Sequence, residues 1–395
     1  MSWLFFINIR LQTIVSRINS KHNNNLNNNH MKKILFYTLA ACSVVMYSCS
    51  DDEGGEKANE ELTVAEAKVA MQQTSSDATT DIVNMTKTEG IEGLRNFFDL
   101  IGDTDPFGGR KDVSHEEYRG FIKKQTRLFR ELFAINKSIN GKGEGDDFNF
   151  NENKGIYNWD SQLEKFVKSQ EESNIIKLNF PTEGSQTNNA SLSMTEYMEI
   201  IILDGDYEEY YPTRLAANLT IDDMLVIDVD ATVSYNDYGD PVSGDLSVEL
   251  VPYTFSLVFD DTQSTTASLV ASISENNTAI VGVDIVITFD SAEKEEVNSI
   301  AGNVVYGDMR IEGDITIPED ESEDEDLNDF VNLELFQDGS KLGDIIFKME
   351  TNIDGDTDDI PYVQYSDGTT DRLEDIFENT VMEVEDFLDD LDEWG

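Results

Sequence analysis

The run Ile227-Asp228-Val229-Asp230-Ala231-Thr232-Val233-Ser234-Tyr235 decides the fold class. Apolar or aromatic residues occupy the odd positions of this run, and polar residues occupy the even positions. Successive side chains of a β-strand point to opposite faces, so this period of two predicts a strand with one buried and one solvated face. Strands of this one-sided kind are typical of antiparallel sheets.

The same alternation recurs on both sides of this run. Residues 236–241 and the pairs Asn276-Asn277 and Asp338-Gly339 separate such runs and have the composition of hairpin turns. The other alternating apolar sets are Leu215, Ala217, Leu219 and Ile221; Tyr253, Phe255, Leu257 and Phe259; Ala267, Leu269, Ala271 and Ile273; Val281, Val283, Ile285, Ile287 and Phe289; Met309, Ile311, Ile315 and Ile317; and Val331, Leu333 and Leu335. Residues 146–366 are therefore predicted to form an antiparallel β-meander of roughly ten strands.

Helical patterns flank this β region. In the segment 62–145, Thr63 and Glu66 form a capping box that predicts a helix start. Gly90 and Gly93 are expected to interrupt the helical pattern before a short helical piece over residues 94–101. A second capping box at Ser114 opens an apolar stripe that extends to residue 139.

The C-terminal segment 367–395 carries a third amphipathic pattern, from about residue 370 to residue 391. A one-sided sheet must cover its apolar face, and the amphipathic helices at both ends can do so. The sequence therefore predicts an α+β protein with N-terminal amphipathic helices, a large antiparallel β-meander sheet and a C-terminal amphipathic helix packed on that sheet. The alternative is a sheet rolled into a partial barrel that buries its apolar face by itself.

The N-terminal part has the composition of a bacterial lipoprotein signal peptide. Met31-Lys32-Lys33 forms a charged start, residues 34–47 are apolar, and Ser48 is a small residue directly before Cys49. The apolar run is shorter than the roughly 20 residues that a membrane-spanning helix needs. We expect residues 31–48 to be the signal peptide and Cys49 to be acylated.

Three further points concern this N-terminal part. Cys42 is a second candidate acylation site, but its use would leave residues 44–47, which are apolar, on the mature surface. Residues 1–30, with an asparagine-rich run before Met31, are interpreted as a start assigned too early. Residues 49–61 are polar and acidic, and are expected to form a flexible tether.

The acidic run Ser50-Asp51-Asp52-Glu53 directly follows Cys49. Together with the signal peptide, it resembles the export signal of Bacteroidetes-type surface lipoproteins. The resemblance covers residues 31–53 only, and it implies a location rather than an activity. It implies a protein anchored in the outer membrane by acyl chains such as palmitate on Cys49, with its body facing the cell exterior.

The charge balance restricts the partners of the chain. There are 80 acidic and 28 basic residues among 395, giving a net charge of −52. Nucleic acid is excluded as a partner because phosphate binding needs clustered lysine and arginine. An anionic membrane surface would repel the body, so we expect membrane attachment to depend on the lipid anchor. A hydrophobic content of 39% is enough for a folded core.

Residues with catalytic chemistry are scarce after processing. The two cysteines lie at or before the cleavage site, which excludes thiol catalysis and thiolate metal sites from the mature chain. His115 would be the single histidine left, and it lies in the second capping box without a Gly-x-Ser-x-Gly motif elsewhere. The glycines of residues 141–145 are interpreted as a loop. We therefore expect a protein that is not an enzyme and has no organic cofactor.

One acidic turn is a candidate metal site. Asp354, Asp356 and Asp358 alternate around Gly355, and carboxylate oxygens are the ligands that calcium prefers. The EF-hand pattern fails because Tyr365 occupies the position of the bidentate glutamate. The alternative is a solvated acidic hairpin turn. Calcium is thus the one cofactor that the sequence suggests.

Aromatic residues give one further candidate surface. Tyr207, Tyr210 and Tyr211, beside Pro212, either form an exposed aromatic patch or lie half-buried at a strand end.

Three functional classes remain open. The first is a non-catalytic binding or interaction lipoprotein whose partner is a protein or a glycan. The second is a carrier of a lipid or other apolar ligand, which an empty space between sheet and helices would favour. The third is a carboxylate-dependent polysaccharide hydrolase, which a cleft with two facing acids and aromatic walls would favour. A filled core with polar, acidic faces favours the first class.

Overall fold

A computed structural model describes residues 62–101, 150–170, 174–204, 207–294, 296–317, 326–351 and 357–393. The described residues divide into two compact units. The first unit consists mainly of residues 86–252, and the second of residues 62–85 and 253–386. Each unit combines antiparallel strands with helices.

In the first unit, an α-helix precedes seven strands. The helices are α2 (Glu89–Ile101) and the single turn α3 (Phe150–Asn153). The strands are β1 (Gly155–Asp160), β2 (Lys165–Gln170), β3 (Ile176–Phe180), β4 (Ala190–Asp204), β5 (Tyr207–Ile221), β6 (Met224–Tyr235) and β7 (Pro241–Leu250). They lie in the order β7-β6-β5-β4-β3-β1-β2. Strands β1 and β3 pair in parallel, and the other described pairs of this unit are antiparallel.

The second unit has nine strands in chain order between two helices. The helices are α1 (Val64–Thr86) and α4 (Leu373–Glu393), which cross the unit boundary only at their last residues. The strands are β8 (Tyr253–Asp260), β9 (Thr266–Glu275), β10 (Thr278–Phe289), β11 (Val297–Tyr306), β12 (Met309–Thr316), β13 (Val331–Gln337), β14 (Ser340–Thr351), β15 (Thr357–Tyr365) and β16 (Thr370–Arg372). Each strand pairs antiparallel with the next one along the chain. A short 3₁₀ turn, Leu327–Asp329, precedes β13.

The predicted α+β class with a large antiparallel meander is confirmed. The strand that contains Ile227 and Tyr235 is β6, and its register partners on both sides are antiparallel. The described ranges contain sixteen strands where roughly ten were predicted, because short strands such as β1, β2 and β16 lack a long alternating run. In neither unit does the first strand pair with the last, so neither unit closes into a barrel.

The predicted hairpin turns have the backbone that their residues favour. Asn276 and Asn277 have φ values of 50° and 68°, and Asp338 and Gly339 have values of 50° and 75°. Two consecutive positive φ angles are the requirement of the tight turn whose twist matches that of the flanking strands. The turns therefore fix the register between β9 and β10 and between β13 and β14.

The first capping box is confirmed at the start of α1. The Glu66 carboxylate accepts a hydrogen bond from the Thr63 amide at 2.9 Å, and the Glu66 amide donates to the Thr63 hydroxyl at 3.3 Å. These reciprocal bonds satisfy two backbone groups that a helix start leaves open. The second capping box, at Ser114, lies outside the described residues.

The prediction that Gly90 and Gly93 interrupt the helix is wrong. Both glycines are buried within α2, which begins at Glu89. A Cβ atom on Gly90 would lie 2.6 Å from Leu250 Cδ1, and one on Gly93 would lie 2.8 Å from Ile221 Cδ1. Such distances are shorter than real Cβ contacts, so the two glycines allow α2 to approach the sheet of the first unit.

The apolar sides of the helices and sheets form the core of each unit. In the first unit, Phe97 of α2 is fully buried against the rings of Phe180 and Phe166. In the second unit, α1 contacts α4 through a buried polar group. The Thr380 hydroxyl donates to the Ser75 carbonyl at 3.0 Å and lies 3.1 Å from the Thr79 hydroxyl. These bonds satisfy the buried hydroxyl groups and fix one helix against the other.

Candidate functional site

The solvated face of the second unit carries a row of polar side chains. Register places Asp284 opposite Asn303, Asn303 opposite Glu312, Glu312 opposite Glu334, and Glu334 opposite Asp344. The row crosses β10 to β14. The neighbouring strand positions face the core, as the burial of Val304, Ile311 and Leu335 shows for the three central strands. The alternation seen in the sequence therefore places five hydrogen-bonding groups side by side on one rigid surface.

A hollow of about 370 Å³ lies in the middle of this row. Its lining consists of Asn303, Glu312, Asn332 and Glu334 together with Gly302 and Gly313. We call this the polar hollow. Its volume lies at the lower end of the range for small-ligand sites.

The two glycines form the floor of the polar hollow. Gly302 and Gly313 are direct register partners on β11 and β12. A Cβ atom on Gly302 would lie 2.0 Å from the Asp284 carbonyl oxygen, and one on Gly313 would lie 1.8 Å from the Asn332 carbonyl oxygen. Gly313 also has a φ of 147°, a backbone conformation that L side chains rarely adopt. Glycine is therefore required at both positions for the strands to approach as they do.

Cations flank the two glutamates of the polar hollow. Lys341 Nζ lies 2.5 Å from Glu334 Oε1 and 2.7 Å from Asp344 Oδ1. Arg310 Nε lies 3.0 Å from Glu312 Oε2, and its guanidinium group lies 5.1 Å from the centroid of the Phe336 ring. Like charges directly opposite each other on neighbouring strands are destabilising, and these cations offset that repulsion. Hydrogen bonding to both carboxylates raises the pKa of Lys341, so it stays charged at neutral pH.

The lining of the polar hollow is rich in hydrogen-bonding groups. Two amides, two carboxylates and backbone at the floor supply both hydrogen-bond donors and acceptors. A hydrolase needs one carboxyl group kept protonated by burial or by a nearby like charge. The Glu312 and Glu334 side chains are each 39% exposed, and each is paired with a cation.

The sequence pointed to other residues as sites. Cys49, Asp354, Asp356 and His115 lie outside the described residues. The Asp358 backbone belongs to β15 opposite Glu350, and nothing is described of its side chain. Over the described ranges, no group of three or more His, Cys, Asp or Glu side chains is placed to hold a metal ion. The calcium hypothesis therefore stays a prediction from the sequence.

The tyrosines beside Pro212 form part of a strand contact. The ring centroids of Tyr211 and Tyr235 lie 5.1 Å apart, and the Tyr235 hydroxyl donates to the Pro212 carbonyl at 3.0 Å. Burial raises the pKa of Tyr235 above its ordinary value of 10.0. Tyr210 and Tyr211 are half-buried, as the strand-end interpretation expects.

The polar hollow was missed by sequence reasoning, although two signals for it exist. Gly302 and Gly313 interrupt runs that otherwise read as strands, and an isolated strand glycine marks close backbone approach. The polar residues that line the hollow cannot be recognised in the sequence, because many of the other carboxylates among its 80 acidic residues alternate in the same local pattern.

Comparisons with protein-family models, with curated proteins and with solved structures found no match. None of the helices in the described ranges combines the length and the apolar content needed to cross a membrane.

A half-buried acidic group lies inside the second unit, away from the polar hollow. Asp81 of α1 is near Glu275 of β9, which is the register partner of Tyr253. Burial, followed by repulsion from Glu275 and Asp77, raises the pKa of Asp81 from 3.8 to about 6. Burial, followed by the nearby charges of Glu275 and Asp81, raises the pKa of Tyr253 to about 12. Ionised Asp81 therefore destabilises the folded state.

We expect Asp81→Asn to stabilise the protein at pH 7.5 by about 1–2 kcal/mol, a value discounted for partial exposure. The folded state holds the Asp81 proton more tightly than the unfolded state, so the penalty grows as the pH rises from about 4 to about 6 and is fully present above that window. Urea unfolding at pH 4 and at pH 7.5 measures the effect. Asp245→Asn, at an exposed strand position opposite Thr232, is the charge-matched control. A gain that is equal at both pH values would contradict this account.

Proposed function

We propose that the chain is a cell-envelope lipoprotein, anchored by acylated Cys49, that binds a partner without turnover through the solvated face of its second unit. The polar hollow is the observation that carries this proposal. Its amides and carboxylates suit a ligand rich in hydroxyl groups, such as a glycan, more than an apolar ligand.

Rigidity supports the same proposal. The floor of the hollow is strand backbone in the middle of a sheet, and its walls lie on three adjacent strands whose opposite face is core. Polar groups held on regular strands lose little conformational freedom when a ligand binds, which favours affinity.

The packing of the first unit gives less support to the apolar-carrier alternative. Contact between α2 and the sheet is so close that Gly90 and Gly93 leave no room for a methyl group. A carrier needs a lined cavity of several hundred Å³ between such layers. The hydrolase alternative has two facing acids in the polar hollow, but both are exposed and ion-paired. Phe336 is the register partner of Arg310, and the Arg310 guanidinium lies over its ring.

Binding can be tested with glycan arrays and titration calorimetry on the purified protein. Asn303→Leu and Asn332→Leu remove amide donors from the polar hollow, and each should weaken binding of a glycan identified on the array by tenfold or more, about 1.4 kcal/mol. Thr254→Leu is the matched control, because Thr254 lies in β8 on the same solvated face as the polar hollow, and it should leave binding unchanged. Equal binding by all three variants would place the ligand elsewhere and refute the proposal for this face.

The anchor has its own test. Cys49→Ala should abolish incorporation of labelled palmitate and release the protein from the membrane fraction, because one residue carries all the acyl chains. Cys42→Ala should retain both labelling and membrane association. The reverse result would assign the acylation site to Cys42, and labelling of the double variant would refute lipidation at either cysteine.

A further inference from the structure

The hairpin of β4 and β5 extends beyond its neighbours in the first unit. Pairing of β4 with β3 ends at Met194, and pairing of β5 with β6 ends at Arg214. In the described pairings, residues 195–204 of β4 face only β5, and residues 207–213 of β5 face only β4, with Glu199 opposite Pro212 and Asp204 opposite Tyr207. We call this two-stranded extension the arm. An isolated two-stranded hairpin is at best marginally stable in water, so the arm needs additional contacts.

Large apolar side chains are exposed along the arm. Met198 is 59% exposed, Ile200 39%, Ile201 53% and Leu203 68%. Consecutive strand residues point to opposite faces, so Ile200 and Ile201 expose apolar surface on both sides of the arm. Surface of this kind marks an interaction site.

The charge of the arm restricts what can cover it. It contains five acidic residues and no basic residue, the acids being Glu196, Glu199, Asp204, Glu208 and Glu209. A second copy of a chain with a net charge of −52 would be repelled. The complementary occupant is a segment that is both apolar and basic.

One segment of the chain itself has this composition. Residues 118–139 contain six basic residues and one acidic residue, in a protein where acids outnumber bases 80 to 28. At helical spacing, Phe121, Leu128 and Leu132 fall on one side, while Lys123, Arg127 and Arg130 fall on the other. This segment lies outside the described residues, and its sequence predicts a basic amphipathic helix.

Chain connectivity brings this segment to the arm. The described chain resumes at Phe150, whose ring centroid lies 6.4 Å from that of Tyr197 on the arm. Ten residues separate position 139 from Phe150 and can span up to about 35 Å. The connecting residues are therefore long enough for the segment to reach the exposed apolar residues of the arm.

We infer that the arm is the docking surface for residues 118–139, with the apolar side of the segment on Ile201 and Leu203 and its basic side near the acidic residues of the arm. Intramolecular docking has a low entropic cost because the tether keeps the local concentration high.

Limited trypsin digestion tests this inference, since the basic residues are trypsin sites. The full chain with Cys49→Ser avoids detergent, and Lys57, in the segment that the sequence predicts to be a flexible tether, serves as the internal reference. Cleavage after Arg127 and Arg130 should be slower than cleavage after Lys57. Ile201→Asp and Leu203→Asp should each accelerate it about tenfold or more. Val258→Asp, at a 43% exposed strand position of the second unit, should not. Rapid cleavage in the parent chain, or protection that the arm variants leave unchanged, would overturn the inference.

A second measurement remains informative if an arm variant misfolds. A photo-crosslinking benzoylphenylalanine at Ile201 should give an adduct within residues 118–139 of the same molecule, read by mass spectrometry of the monomer band. An adduct that links two copies, or that maps to any other segment, would overturn the inference.

Discussion

Replacing Lys294 with methionine should lower the free energy of unfolding by about 3–5 kcal/mol. Lys294 Nζ donates hydrogen bonds to Asp261 Oδ1 at 2.5 Å, to the Asp261 carbonyl at 2.7 Å and to the Thr266 carbonyl at 3.3 Å. The Lys294 and Asp261 side chains are only 10% and 9% exposed. Methionine keeps the apolar stem but leaves the Asp261 carboxylate buried without its cation.

Denaturant unfolding measures this effect, and the chain offers a matched control. Lys341→Met removes a lysine of similar pairing whose side chain is 39% exposed, and it should cost no more than about 1 kcal/mol because surface ion pairs are weak. Asp261→Asn in the Lys294→Met background should recover part of the loss by removing the buried charge. Equal costs for the two lysine variants would contradict the importance of burial.

Replacing Phe97 with alanine should also cost about 3–5 kcal/mol, in this case in the first unit. Phe97 is 0% exposed, and its ring centroid lies 5.1 Å from that of Phe180 and 6.2 Å from that of Phe166. The substitution removes most of a buried ring and leaves a cavity between α2 and the sheet.

Hydrogen exchange can locate the damage. Phe97→Ala should reduce the protection of amides in β1 to β3, where its ring partners lie, more than in β10 and β11. Leu163→Ala, at a 58% exposed turn position, is the control and should stay within about 0.5 kcal/mol of the parent. A uniform loss of protection across both units would contradict a local role for Phe97.

Local features of the fold could be predicted because they depend on neighbouring residues. Alternation around Val229, the positive φ angles at Asn276 and Asn277, and the capping box at Thr63 all require only a few adjacent positions. Each has a direct physical cause in strand geometry, turn sterics or open helix amides.

The features that could not be predicted depend on distant residues. The role of Gly90 depends on Leu250, which packs beside it, whereas a glycine considered by itself predicts an interruption of the helix. The parallel pairing of β1 with β3 places Gly155 opposite Ile176. The alternation of apolar and polar residues does not indicate which strands pair or in which direction. The polar hollow likewise needs the register that sets Glu312 opposite Glu334.

The chain-order pairing of β8 to β16 has a consequence for how the second unit assembles. Each hairpin can form as soon as its two strands are available, because its contacts are local and close short loops. The bond between Ser75 and Thr380 is different, since it joins positions 305 residues apart. With this topology, the strands can pair one after another as the polypeptide is synthesised. The hydrogen bonds between α1 and α4 can form only after α4 has been synthesised. The contact between α1 and α4 therefore forms late, when almost the whole polypeptide is present.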